Sequence, residues 1–315
     1  MAFFNIFGSL FGYLLWAAYT FVNNFGIAII IFTLVFKVVL FPSSVKQQKS
    51  MAANSKLQAK QKALQEKYGN DKQRYNEELQ KLYEKENVKP FGGCLTSLLP
   101  MFVMLGIYYS VVRPLSNVLH IAADKVTQLQ AYASTLPGIS LNSESIYSEI
   151  ELLRIFDSIS THSGVTQILT GDEIDKIKLL TGGFNFLGID LLSTPKLAGG
   201  IILLIPILCL VTSVSSQVFT MFMKGSPMSQ QQGCMKYMFI ALPLLTAWIA
   251  YTVPAAVGFY WVCSTVFGFI QTLIMNKFYS PDLLGAKAEA QHIARLELEE
   301  AQVQYSPTVQ SKKKK

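Results

Sequence analysis

The sequence predicts an all-α polytopic membrane protein with five transmembrane helices and a two-helix cytoplasmic hairpin. Hydrophobic residues fill 51% of its 315 positions and charged residues only 15%, a balance too apolar for an ordinary soluble domain. Five apolar runs, at 25–41, 91–112, 197–218, 237–253 and 255–275, have about the length that crosses a bilayer as a helix. Lysine and arginine cluster in particular segments between those runs, which gives the chain an orientation.

Residues 1–21 carry no charged side chain, and Phe3, Phe7, Leu10, Leu14 and Phe21 recur at helical spacing. That pattern suits a helix lying in the outer interface, with a sixth span as the alternative that would move the N-terminus inside. A secretory signal would want a basic start, which is missing.

The first transmembrane helix is expected at 22–42. It holds one charge, Lys37, and a lysine at the centre of a span costs about 2.5–3.5 kcal/mol on insertion scales. If the helix stops at Pro42, Lys37 lies about 7.5 Å from its end, within partial reach of a snorkelling stem. The competing reading gives the ammonium a partner or a wet cavity.

Residues 43–90 switch to lysine, glutamine and glutamate. Leu57, Leu64 and Tyr68 form one thin apolar seam and Tyr75, Leu79 and Leu82 another, with a stop, turn and N-cap at Tyr68, Gly69, Asn70 and Asp71. The expectation is an antiparallel helical hairpin with eleven basic residues from Lys46 to Lys89, placed in the cytoplasm. The second span follows at 91–113.

The 114–196 segment has five basic residues against nine acidic ones and belongs outside. Short interfacial helices are expected in it, for example near 145–155, and 182–195 reads as a turn-rich approach to the third span. His120 and His162 have no convincing metal-ligand neighbours. The third span is expected at 197–220, a methionine-containing cytoplasmic loop at 221–236, the fourth and fifth spans at 237–253 and 254–276, and a basic cytoplasmic tail at 277–315. The short Val253, Pro254, Ala255 turn makes the last two spans neighbours. Cys94, Cys209, Cys234 and Cys263 are far apart and read as reduced packing residues.

Polar side chains interrupt three spans. Cys209, Ser213, Ser216, Gln217 and Thr220 share one face of the third, while Trp261, Ser264, Thr265, Gly268, Gln271 and Thr272 share one face of the fifth. On the first, Thr33 lies one turn from Lys37. Small and hydroxyl residues often serve helix packing, but Gln217 and Lys37 fit a hydrated pocket better. The spans lack paired carboxylates, a histidine cluster or an activated nucleophile, which argues against an enzyme.

The stretches NNFGIAIIIFTLVFKVVLFP followed by KQQKSM, then EKYGNDKQ, KLYEKENVKPFGGCL, FNFLGIDL, SPMSQQQ and GFYWVCSTVFGFIQ, cover most of residues 8–278 in order. Together they resemble the YidC-type membrane protein insertase family, in its bacterial form without a large periplasmic domain. The resemblance implies five transmembrane helices around a hydrophilic groove, open to the cytoplasm and sideways to lipid and sealed outside. It places Lys37 where the groove usually has an arginine, Gln217 at a groove glutamine and Trp261 at an aromatic of the fifth span. With Thr33, Ser213 and Ser264 these make up the expected substrate groove.

The implied activity is that of an insertase and chaperone in the bacterial cytoplasmic membrane, N-terminus outside and C-terminus inside, with no cofactor or metal. Its partners would be nascent membrane proteins, with the Sec translocon, the ribosome and anionic lipids (the last two through the basic tail) as further candidates, and the monomer as the working unit. A small-solute transporter or channel is the alternative; no inverted repeat supports it. Three departures stand out: lysine for arginine at 37, which loses the planar fork for carboxylates; a long outer segment; and Ala59 where many relatives have proline.

Overall fold

The computed structural model describes residues 2–69, 71–85, 94–139, 141–142, 145–224 and 234–278, with 290, 293–294, 296–298 and 300 in the tail. Expectations about the 225–233 loop and the terminal lysines lie outside them. The described chain is almost wholly helical. Among the described residues, three helical stretches are long and apolar enough to cross a membrane: Phe25–Gln48, Gly200–Phe222 and Ala255–Phe278. Shorter apolar stretches are Ile6–Val22, Phe102–Val112 and Ala241–Thr252.

The chain forms two compact units, one of residues 1–39 with 98–270 and one of 40–97 with 271–315. Three helices, α2 (Phe25–Tyr68), α4 (Cys94–Val112) and α12 (Ala255–Phe278), run from one unit into the other. The helix α2 continues through Pro42, contrary to the expected stop there. Proline removes one amide donor and crowds the preceding turn, which bends or breaks many helices, but spanning helices tolerate it where neighbouring groups take up the freed carbonyl. The consequence for Lys37 is direct: no helix end lies one turn below it.

In the second unit, α2 ends at Tyr68 and α3 (Lys72–Lys85) begins after a tight turn. The Asp71 amide donates to the Tyr68 carbonyl at 2.8 Å, and the Asp71 carboxylate accepts from the Arg74 amide at 3.1 Å, the N-cap the sequence predicts. Gln61 donates to the Tyr83 hydroxyl at 2.9 Å and ties the two helices together.

In the first unit, α1 (Ala2–Val22) folds back beside α2. Tyr19 meets Phe25, and Phe11 packs edge-on against Phe32 and Phe36 at 5.6 and 5.3 Å. The buried face is Phe11, Leu15, Ala18 and Tyr19, whereas Leu10, Leu14 and Phe21 of the expected stripe are exposed. Both sets have helical spacing in so apolar a stretch, and the expected stripe is the face turned away from the rest of the protein. Across α1 lie α4 (Cys94–Val112) and a five-residue π-turn, Pro114–Val118, with the Phe7 ring tilted against Phe102 at 5.7 Å and the Ser110 hydroxyl bonded to the Gly8 carbonyl.

The 114–196 segment is, among the described residues, a helical layer with its own core. It contains α5 (Ala123–Ser134), α6 (Ser148–Ile159), α7 (Ser163–Ile168) and α8 (Gly171–Thr181), and buries Val126, Leu129, Leu152, Leu153, Phe156, Ile159, Ile177 and Leu180. Thr170 and Glu173 form a reciprocal capping box at the start of α8. Lys125 of α5 grips the Glu173 carboxylate at 2.8 Å. Glu149 of α6 is buried and accepts from both the amide and the hydroxyl of Ser116, at 2.9 and 2.6 Å, so it fixes the π-turn.

A two-stranded antiparallel hairpin, β1 (Asn185–Phe186) and β2 (Ile189–Asp190), is the exception to the all-α expectation. Gly188 at φ +79° closes its turn, a conformation that glycine adopts without penalty. After α9 (Pro195–Ala198) and a 3-10 turn, α10 (Leu204–Lys224), α11 (Cys234–Thr252) and α12 complete the chain.

Candidate functional site

The polar faces of α10 and α12 sit where a site can form. On α10 the exposed large residues are Leu204, Ile207, Leu208, Val211, Val214, Val218 and Phe222. At about 100° per residue they lie roughly opposite the Cys209, Ser213, Ser216, Gln217, Thr220 face. On α12 the exposed Val266, Ile270, Leu273, Ile274 and Phe278 are likewise opposite the Trp261, Ser264, Thr265, Gly268, Gln271, Thr272 face. Apolar side chains therefore form the outward surface, and the polar ones turn away from it.

The two helices run side by side in the same direction. The Cys209 thiol donates to the Gly258 carbonyl at 3.3 Å, and farther along Phe219 meets Phe269 edge-on at 4.6 Å. Those two contacts share almost the same sequence offset, so Gln217 stands within one to two residues of the level of Gly268, about 1.5–3 Å along the axis.

Lys37 comes to that level from α2. It is twelve residues past Phe25, about 18 Å along the helix axis. It is partly buried, on the flank between the packed face of Ala28, Ile29 and Phe32 and the exposed face of Leu34, Val35, Val38 and Val39. A Cβ added to Gly268 would stand 3.3 Å from the Lys37 Nζ. The ammonium thus lies against the one α12 residue of that face that has no side chain. Among the described residues, no carboxylate lies within ion-pairing distance of it.

The other expected groove residues divide. Thr33 is 1% exposed and donates its hydroxyl to the Ile29 carbonyl at 2.6 Å, so its polarity is satisfied within its own helix. Ser213 and Gln217 remain partly exposed on α10. Trp261 is partly buried against the core, and Ser264 is hydrogen-bonded to Tyr260 one turn away.

The N-terminal ends of α2 and α12 are bridged by the β1–β2 hairpin. The Phe186 ring packs on Gly26 of α2 and lies 5.0 Å from the Phe259 ring of α12. Asn24 donates to the Asn185 carbonyl at 2.9 Å, while the Ala255 and Ala256 amides donate to Ser193 and Leu191 at 2.9 and 2.8 Å. Residue-by-residue reading singles out neither Gly26 nor Phe186; the signal in the sequence is the FNFLGIDL stretch itself. Among the described residues, no group of three or more His, Cys, Asp or Glu could hold a metal ion.

These features define a helical, multipass membrane protein whose polar helix faces turn inward, away from an apolar exterior. Residues 17–282 match the family model described as 60Kd inner membrane protein, and the chain belongs to that family. Curated relatives carrying the name membrane protein insertase YidC include those of Saccharophagus degradans, 47% identical over 92 residues, Oleidesulfovibrio alaskensis, 43% over 95, and Cellvibrio japonicus, 44% over 93. The matched stretches cover 29%, 30% and 30% of this chain and 16%, 18% and 17% of those relatives.

Proposed function

We propose that the protein is a membrane protein insertase and chaperone. It receives nascent membrane proteins in a hydrated groove among five transmembrane helices and releases their helices into lipid. In this reading the N-terminus of the first span faces outside, the hairpin of α2 and α3 and the tail face the cytoplasm, and the membrane is the bacterial cytoplasmic one. The observation that carries the reading is the Lys37 ammonium resting on Gly268, level with Gln217. A snorkelling lysine would stretch along its own helix, whereas this one is directed at the polar face of a neighbour. Family membership and the relatives' names support the same function.

A water-filled recess reaching Lys37 from the inner side shortens the apolar distance that a substrate's polar tail must cross. Lys37 offers acidic residues of that tail a transient partner. The incoming helix then passes along the apolar exteriors of α10 and α12, and burial of its own apolar surface in lipid drives the step. No covalent bond is made or broken.

The test replaces Lys37 with Ala, Arg and Glu and follows insertion of a short single-span substrate with an acidic outer tail. Arginine should preserve insertion, alanine should lower it several-fold, and glutamate should lower it furthest by like-charge repulsion. Photo-crosslinkers at Gln217 and Trp261 should capture stalled nascent chains. Equal insertion by Lys37→Glu, with no capture at either position, would end the groove assignment.

A further inference from the structure

The outer helical layer and the β1–β2 hairpin have no part in the insertion path, yet their contacts converge on one place. The Phe186 ring occupies the space over Gly26: a Cβ on Gly26 would stand 2.8 Å from the Phe186 Cβ and closer still to its ring. On its other side the ring meets Phe259 of α12. Phe25, next to Gly26, packs on Phe184 at the base of the hairpin, 4.3 Å between ring centroids. Four aromatic rings from α2, α12 and the hairpin thus gather at the outer ends of the helices that hold Lys37 and Gly268.

The hairpin is held from outside as well. Arg154 of α6 donates to the Asp190 carboxylate and, at 2.9 Å, to the Ser193 hydroxyl. Asp190 also accepts from the Leu192 amide at 3.0 Å and from the Ser193 hydroxyl at 2.6 Å, so one guanidinium steadies the whole return of the chain from β2 toward α9. Tyr19 of α1 separately ties α1 to the helical layer, donating to the Leu179 carbonyl of α8 at 2.6 Å. An exposed ion pair alone contributes little. Here Arg154 adds direction to a segment that backbone bonds to Ala255 and Ala256 already anchor.

We propose that the β1–β2 hairpin is the outer stopper of the recess, with Phe186 as its wedge between α2 and α12, and that the outer helical layer braces it through Arg154. Phe186 is the sealing residue and Arg154 a positioning residue. The inference rests on the recess proposed above and gives the long outer segment a role in keeping a polar passage closed to water and ions on the side opposite its entrance.

The experiment uses the full-length protein in its native membrane, with its four cysteines replaced and Ser264→Cys as reporter. A membrane-impermeant charged maleimide is applied from the outer face of right-side-out vesicles or from the cytoplasmic face of inverted ones. With the hairpin intact, the reporter should react from the cytoplasmic face alone. Phe186→Ala should raise outer-face labelling at least tenfold, and Gly26→Ala, which evicts the ring without altering it, should raise it too. Arg154→Ala should give a smaller rise, about threefold, that Arg154→Lys reverses; a merely structural role would not produce this reversal. Extraction yield and elution volume identify any variant that fails to fold. Cytoplasmic labelling that persists with no outer labelling in Phe186→Ala and Gly26→Ala overturns the stopper and leaves the recess standing. A reporter that reacts from neither face in any variant overturns the recess, and the stopper with it.

Discussion

Replacing Gly12 with alanine tests how α1 is fixed to the body. A Cβ at this position would stand 2.6 Å from the Asn117 carbonyl carbon and 3.2 Å from the Val118 Cα. Ordinary contact begins near 3.4 Å, so the first distance falls about 0.8 Å short. The obstacle is backbone of the π-turn, which Glu149 pins through Ser116, and no side-chain rotation relieves it. Overpacking of this kind costs about 1–3 kcal/mol, and an immovable obstacle argues for the upper end. Alanine regains about 1 kcal/mol of helix propensity over glycine, leaving a net loss of about 2 kcal/mol. The control is Gly182→Ala, where no atom lies within 4 Å of the added Cβ. Unfolding of both variants in mixed micelles, titrated with a denaturing detergent, gives the difference. Indistinguishable midpoints for Gly12→Ala and Gly182→Ala would show that α1 does not dock on the π-turn as described.

Two further outcomes follow from the helical layer of α5 to α8. Burial pushes the Glu149 carboxyl up, with the Ser116 hydrogen bonds and Arg113 pulling the other way. A raised carboxyl pKa makes its contribution to stability full below the ordinary value of 4.5, and that contribution is lost as pH rises through the folded-state value. Glu149→Gln should therefore flatten the pH dependence of stability above pH 4.5 and match or exceed the wild type at pH 7, whereas Glu149→Leu should cost about 1–3 kcal/mol at every pH by stranding the Ser116 donors; unfolding midpoints across that pH range decide. Thr170→Ala removes the hydroxyl that accepts from the Glu173 amide and should cost about 1 kcal/mol, read as faster hydrogen exchange in the first turn of α8.

The features legible in the sequence are those with strong periodic signals. The α10 and α12 polar faces are readable because five or six small and polar residues at helical spacing in an apolar run have few other arrangements. The hairpin of α2 and α3 is readable because Tyr68, Gly69 and Asp71 are stop, turn and cap chemistry in order. The helix start at Thr170 carries a signal as well, threonine followed three residues later by glutamate, although a wider search for apolar periodicity passes it by. Other features depend on distant partners. Pro42 reads as a stop, yet whether a proline ends a helix is decided by what surrounds the freed carbonyl. The face of α1 is ambiguous because nearly every residue in it is apolar, and only α2 and the π-turn decide which side is buried. Gly26 and Phe186 are separated by 160 positions, and nothing local to either announces the other.

The balance of energies explains why a single cation on a flank suffices for the proposed activity. A span of about 20 residues gains roughly 0.3–0.6 kcal/mol from each leucine, isoleucine, phenylalanine or valine it places in lipid, about 6–12 kcal/mol for a wholly apolar helix. Each acidic residue dragged through the centre opposes this by about 2.5–3.5 kcal/mol, so about two to five of them cancel the gain. Lys37 lies about 18 Å along α2 in a hydrocarbon layer of about 30 Å, so water reaching it from the cytoplasm would remove about two-fifths of the apolar path. In the proposed mechanism a cation at this depth attracts the acidic tail, and lysine supplies it through rotatable donors in place of arginine's planar fork. On that proposal the charge at position 37, more than its donor geometry, sets the attraction, which is why Lys37→Arg is expected to preserve insertion and Lys37→Glu to lower it furthest.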